Sequence, residues 1–240
     1  MPQELINKAD ISDVLIERPI CFSVAKRDFL IYQPSLGKIQ LLSRLLENIG
    51  LGNNGTGATN KNIDIYVFSQ AIKTKRDDCL RIIAYSTLPG ADCLNESLVR
   101  KQIKDLSSLN DTDLSSLLMI VLTTGDKTES IIKHFGMDKE AKKMADITKI
   151  KKSKNVFTFG GRSMWGSLID AACERYKWTY QYVLWGISFS NLRLLLADQE
   201  KVLFLTDEEL KKVRIPKDDI VIRASNVSEL NKFIKQHSWK

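Results

Sequence analysis

Apolar residues recur at two different periods along the chain, and each period predicts its own elements. Ile20 to Val24 and Phe29 to Tyr32 are short, partly β-branched runs separated by the polar Ala25-Lys26-Arg27-Asp28, the pattern of a hairpin with a four-residue loop. Pro34 closes the second strand. From there the period is helical, with Ile39, Leu42, Leu46 and Ile49 on one face until Gly50 ends the helix. Ile63 to Leu88 carries Val67, Phe68, Ile72, Cys79, Ile82 and Ile83 around a polar middle at Lys73 to Asp78, which fits one bent helix or two. Val99, Ile103 and Leu106 mark the next amphipathic helix. Asn110 is placed to cap another, whose Leu114, Leu117, Leu118 and Val121 form a buried stripe. Asp126 and Glu129 read as a capping pair for a short helix holding Ile131, Ile132 and Phe135, ended by Gly136.

The second half changes in character. Val156 to Phe189 holds nine of the nineteen aromatics and three of the four tryptophans. Leu168, Ile169, Ala172, Cys173 and Tyr176 share a helical face, so Ser163 to Tyr176 is expected to be a helix after a Gly160-Gly161 turn. Thr179 is placed to cap the following turn, with Trp178 and Val183 at the spacing of a hydrophobic staple and Gly186 at its end. Ser188 starts another helix, lined by Phe189, Leu192, Leu195 and Leu196. Thr206 with Glu209 has the spacing of a capping box. In the tail, Ile220 to Ile222 predicts a strand and Asn226 with Glu229 a capped helix.

Charge alters this picture at one place. The net charge is +7, and Lys139 to Lys154 carries seven lysines against Glu140 and Asp146, a surplus of five. A dense lysine run without arginine or aromatics gives a diffuse positive field rather than bidentate recognition of phosphates or bases. It reads as a linker, with a nucleic-acid arm as the alternative. The expected architecture is therefore mainly α, in three parts. Residues 1–138 form an N-terminal hairpin plus helical domain, 139–158 a lysine-rich linker, and 159–240 a small aromatic-rich helical module with a C-terminal extension.

Candidate chemistry is sparse. Cys21, Cys79, Cys93 and Cys173 form no CxxC pair, so they read as reduced structural thiols of a cytoplasmic protein. No export signal or run of eighteen apolar residues is visible, and no membrane association is expected. Gly50 to Asn60 is glycine-rich, but no Lys-Ser or Lys-Thr follows as a phosphate loop requires, so it reads as a surface loop. His134 falls in the last turn of its helix, where it complements the dipole rather than ligating a metal. Asp77-Asp78 and Asp218-Asp219 are adjacent pairs that point apart, and Cys173 lies on an apolar helix face without a base. These features predict no enzyme, no cofactor and no metal.

One stretch carries a resemblance. Gly166-Ser167-Leu168-Ile169-Asp170, then Cys173 to Tyr180, then Trp185-Gly186-Ile187-Ser188 and Asn191-Leu192, resembles the C-terminal part of phage tail assembly chaperones. Phe22-Ser23-Val24 to Phe29-Leu30-Ile31, followed by Pro34-Ser35-Leu36-Gly37, is similar to the hairpin and helix start of that family's first module. The resemblance implies a non-enzymatic chaperone in the bacterial host cytoplasm. Its partner would be the tape-measure protein, the long helical chain around which the tail tube polymerises, with the tube protein and further copies of the chain as additional partners. Hiding a helix that has no partner yet calls for an apolar groove with aromatic anchors. Trp165, Tyr180, Tyr182, Trp185 and Phe189 are the candidate contacts. The plainer reading of each is core packing. The alternative function, a basic nucleic-acid-binding phage accessory protein, would lose affinity steeply with salt.

Overall fold

The computed structural model of the protein describes residues 8–51, 65–124, 127–150, 163–198 and 205–213. It is mainly helical with one short hairpin near the N-terminus. A helix that the apolar pattern does not predict, Lys8–Leu15 (α1), stands ahead of the hairpin. Strand Ile20–Val24 (β1) pairs antiparallel with Arg27–Ile31 (β2), placing Phe22 opposite Phe29 with their rings stacked at 5.4 Å. The turn is two residues rather than four. Ala25 and Lys26 both have positive φ, 48° and 67°, the combination a type I′ turn needs, and no Gly or Asn marks it in the sequence.

Most of the helices downstream of the hairpin stand where the helical period puts them. Leu36–Asn48 (α2), Ile65–Thr74 (α3), Arg76–Thr87 (α4), Glu96–Leu106 (α5) and Asp111–Thr123 (α6) surround a core of which α4 is the centre. Cys79, Ile82, Ile83 and Ala84 of α4 are fully buried, and α2, β2, α5 and α6 pack on them. The stretch 65–87 is thus two helices, broken at Lys75. Asn110 caps α6, its side chain accepting from the Asp113 N–H at 2.8 Å. Arg76 ties α4 to that corner through Asp111 at 2.5 Å and the Leu109 carbonyl. Glu96, at the start of α5, is held down to about 2 by hydrogen bonds from Arg81 of α4 and from Arg100.

Lys127–His134 (α7) buries Ile131 and Ile132 but stops before Phe135, which is exposed rather than part of its apolar face. Gly136, at φ 72°, turns the chain into Met137–Ile150 (α8). A helix therefore occupies much of the stretch whose charge predicts a linker. The lysine run is helical as far as Ile150 because lysine is a good helix former and Met144, Ile147 and Ile150 recur on one face, although α8 buries no residue.

Met164–Tyr176 (α9), a π-helical turn at Tyr182–Gly186 and Phe189–Ala197 (α10) complete the described core elements. The chain divides into one compact unit of residues 1–143 and 156–201 and another of 144–155 and 202–240. Of the second unit, 144–150 and 205–213 are described, including Asp207–Lys212 (α11), where Thr206 and Glu209 form the expected capping box. Asp126, residues 52–60, Phe157, Phe159, the Gly160-Gly161 turn and the strand and helix expected beyond 213 lie outside the described residues. Among the described residues no helix is long and apolar enough to cross a membrane.

Candidate partner-binding surface

The aromatic segment is built from a chain of capped helix ends. Ser163 caps α9, its hydroxyl accepting from the Gly166 N–H at 3.2 Å. Lys177 ends α9 in the left-handed region, φ 56°, which turns Trp178 back towards the helix. The Thr179 hydroxyl then accepts from the Tyr182 N–H at 3.2 Å, and Trp178 and Val183 enter one apolar cluster as the staple spacing predicts. Ser188 caps α10 by accepting from the Asn191 N–H at 3.1 Å. Each device is local in sequence.

The contacts that dock this segment are not local. Ser35 and Ser188 form an isolated antiparallel bridge, and the Phe189 N–H donates to the Pro34 carbonyl at 2.9 Å. Glu17, itself at φ 53°, accepts from the Ser188 N–H and from Asn191 Nδ2, both at 2.9 Å. The Trp185 ring lies on Gly37 in the first turn of α2. A Cβ at Gly37 would stand 2.7 Å from the indole, so only glycine admits the ring there. A Cβ at Gly186 would overlap the Tyr182 ring, which folds back over that position.

The five sequence candidates therefore separate into two groups. Trp165, Trp185 and Phe189 are half-buried. Trp165 packs on Phe189 at 5.9 Å between ring centres, and Trp185 packs against the main core. Tyr180 and Tyr182 are 56% and 43% exposed. Tyr182 sits edge-on to Trp178 at 5.1 Å, and Trp178 stacks on Tyr176 at 4.6 Å, whose hydroxyl donates to the Leu195 carbonyl at 2.9 Å. The result is a stepped run of three rings in the segment that also exposes Tyr180. Trp178 belongs to this run, although its spacing in the sequence predicts only a capping role. Leu195, expected on the apolar face of α10, is exposed, and Leu194 is buried in its place against Val14, Ile131 and Ile132.

Beneath the junction lies a residue that the sequence reading passed over. Lys38 is only 2% exposed, the largest fully buried side chain among the described residues. Its Nζ donates to the Leu88 carbonyl at the end of α4 and lies 5.5 Å from the Tyr32 ring centre. Burial pulls its pKa down to about 8, against smaller opposing effects of Cys93 and Asp92. Burial pushes the Cys79 thiol up to about 11 and the Cys93 thiol upward as well. Cys173 is half-buried against the second apolar cluster, and among the described residues no three His, Cys, Asp or Glu gather as a metal site requires. A separate shallow groove of about 570 Å³ between α3 and α6, lined by Ser69, Ile72, Thr112, Ser115, Met119 and Ile120 among others, contains none of the aromatic candidates. No family model, curated protein or solved structure matches the chain.

The seat on Gly37 separates the two aromatic groups energetically. Trp185→Ala removes a ring wedged on Gly37 and is expected to cost roughly 3 kcal/mol, whereas Tyr182→Ala costs about 1 kcal/mol or less, both read by denaturant unfolding. Stability should also depend on pH through Lys38. Its folded pKa lies below the unfolded value, so above pH 8 the unfolded chain binds more protons and stability rises with pH until the unfolded lysine also deprotonates. Taken as the difference between wild type and Lys38→Met, that rise is about 1 kcal/mol from pH 7 to 9. The raised thiols of Cys79 and Cys93 act in the opposite sense from about pH 8.5, where unfolded cysteine begins to ionise, and both proteins carry them, so the difference reads the lysine.

Proposed function

We propose that the protein is a non-enzymatic tail assembly chaperone that holds an amphipathic helical client, the tape-measure protein, through the aromatic surface around Tyr180 and Tyr182. The observation that supports this reading most is the exposure of two tyrosines on a capped scaffold that does not need them for its core. Tyrosine offers a large apolar face with few rotatable bonds and leaves its hydroxyl in water, so it suits a grip that must later be released. Trp178 backs Tyr182, and Trp185 fixes the turn that carries it to α2. The motif residues from Gly166 to Leu192, which carry the resemblance to tail chaperones, are the same residues that build the scaffold.

Co-expression with fragments of the tape-measure protein from the same genome tests the reading. The fragments should stay soluble and co-purify, and a Tyr180→Ser, Tyr182→Ser double variant should lose them while its melting temperature falls by no more than about 4 °C. Fragments that aggregate equally with and without the protein would contradict it. Binding that instead collapses as salt rises, and maps to Lys139 to Lys154, would favour the nucleic-acid alternative.

A further inference from the structure

We infer that Lys38 is a positioning residue, whose buried ammonium sets where the Trp185 turn docks and hence how Tyr180 and Tyr182 are presented. The inference deepens the client-binding reading and rests on it only for its consequence in binding. A lysine is a costly choice at this place. It lies in the first turn of α2, where the helix dipole disfavours a cation, and it is buried with its ammonium on a backbone carbonyl rather than a carboxylate. A methionine would fill the same volume without that cost.

What the cation contributes is a directed contact. Its Nζ holds the carbonyl of Leu88, the residue after α4, and lies near the Tyr32 ring. The same carbonyl end of α4 presents the negative pole of that helix to the ammonium. From Leu88 the chain passes through Pro89 to Gly90, at φ 45°, where a Cβ would stand 3.6 Å from the Trp185 carbonyl oxygen. On its other side Trp185 rests its ring on Gly37, the neighbour of Lys38. The turn that carries Tyr182 is therefore seated between two backbone segments, at Gly37 and at Gly90, and Lys38 is covalently part of one and hydrogen-bonded beside the other. The Ser35–Ser188 bridge and the Phe189 N–H fix the far end of the turn, and on the Leu88 side Lys38 supplies the directed contact that dispersion, which has no preferred direction, does not.

The test uses the full chain labelled with 5-fluorotryptophan, in which Trp185→Phe assigns the fluorine resonance of Trp185. In Lys38→Met the Trp185 resonance should shift and broaden while that of Trp165 stays in place, and Lys38→Arg, which keeps the cation, should restore it. The wild-type protein gives a second measurement should Lys38→Met not fold. Its Trp185 resonance should move between pH 7 and 9 as Lys38 loses its proton, the other titratable groups facing that ammonium being Tyr32 and, on the turn after α4, Asp92 and Cys93. Capture of a tape-measure fragment should fall about fivefold in Lys38→Met. A Trp185 resonance unchanged in Lys38→Met and flat with pH, or one that Lys38→Arg fails to restore, would overturn the inference. Failure of the wild type to capture the fragment would count against the chaperone reading alone, since the fluorine spectra decide the role of Lys38 without a client.

Discussion

The missing side chain at Gly37 is the constraint on which the arrangement of the aromatic segment depends. The Trp185 ring occupies the space that a Cβ would need, so the first turn of α2 becomes a seat for a turn far along the chain. Once that ring is placed, Ser188 meets Ser35, the Phe189 N–H finds the Pro34 carbonyl, and Glu17 caps the start of α10. These polar contacts close a loop of very high contact order, which local propensity alone would not bring together. The apolar ring supplies the burial, and the hydrogen bonds supply the register.

This arrangement explains how one aromatic-rich segment serves as both support and surface. Half-buried Trp165 packs on Phe189 of α10 and half-buried Trp185 on Gly37 of α2, and Tyr180 and Tyr182 are left towards solvent. The π-helical turn makes that division. Its wider winding places Gly186 under the Tyr182 ring and points Trp185 the other way, within a single turn of chain. Single wide turns of this kind are frequent at functional sites.

Much of the local structure is legible in the sequence. The caps at Asn110, Thr179 and Thr206 are read from short-range spacing and occur as read, and the helix starts at Ser163 and Ser188 prove to be caps as well, because a cap is a contact between residues two or three apart. The hairpin turn is not legible, since Ala25 and Lys26 adopt positive φ without the residues that usually signal it. In the lysine run, charge points to a linker while the apolar residues keep a helical period, and the period decides the local structure. The docking of 163–198 on α2 is also hidden, because it rests on a glycine whose value lies in what packs against it from far along the chain. Lys38 does leave a trace. It shares the face of Leu42, Leu45 and Ile49 on α2, and a lone cation on an apolar face is a position to question.

The chemical shift of the Gly37 α-protons in the full chain tests the docking most directly. Held against the face of an indole, they should resonate far upfield of an ordinary helical glycine, show nuclear Overhauser contacts to the Trp185 ring, and return to ordinary values in Trp185→Leu. Gly37 α-protons at ordinary shifts in the wild type, unmoved by Trp185→Leu, would contradict the docking of the aromatic segment on α2.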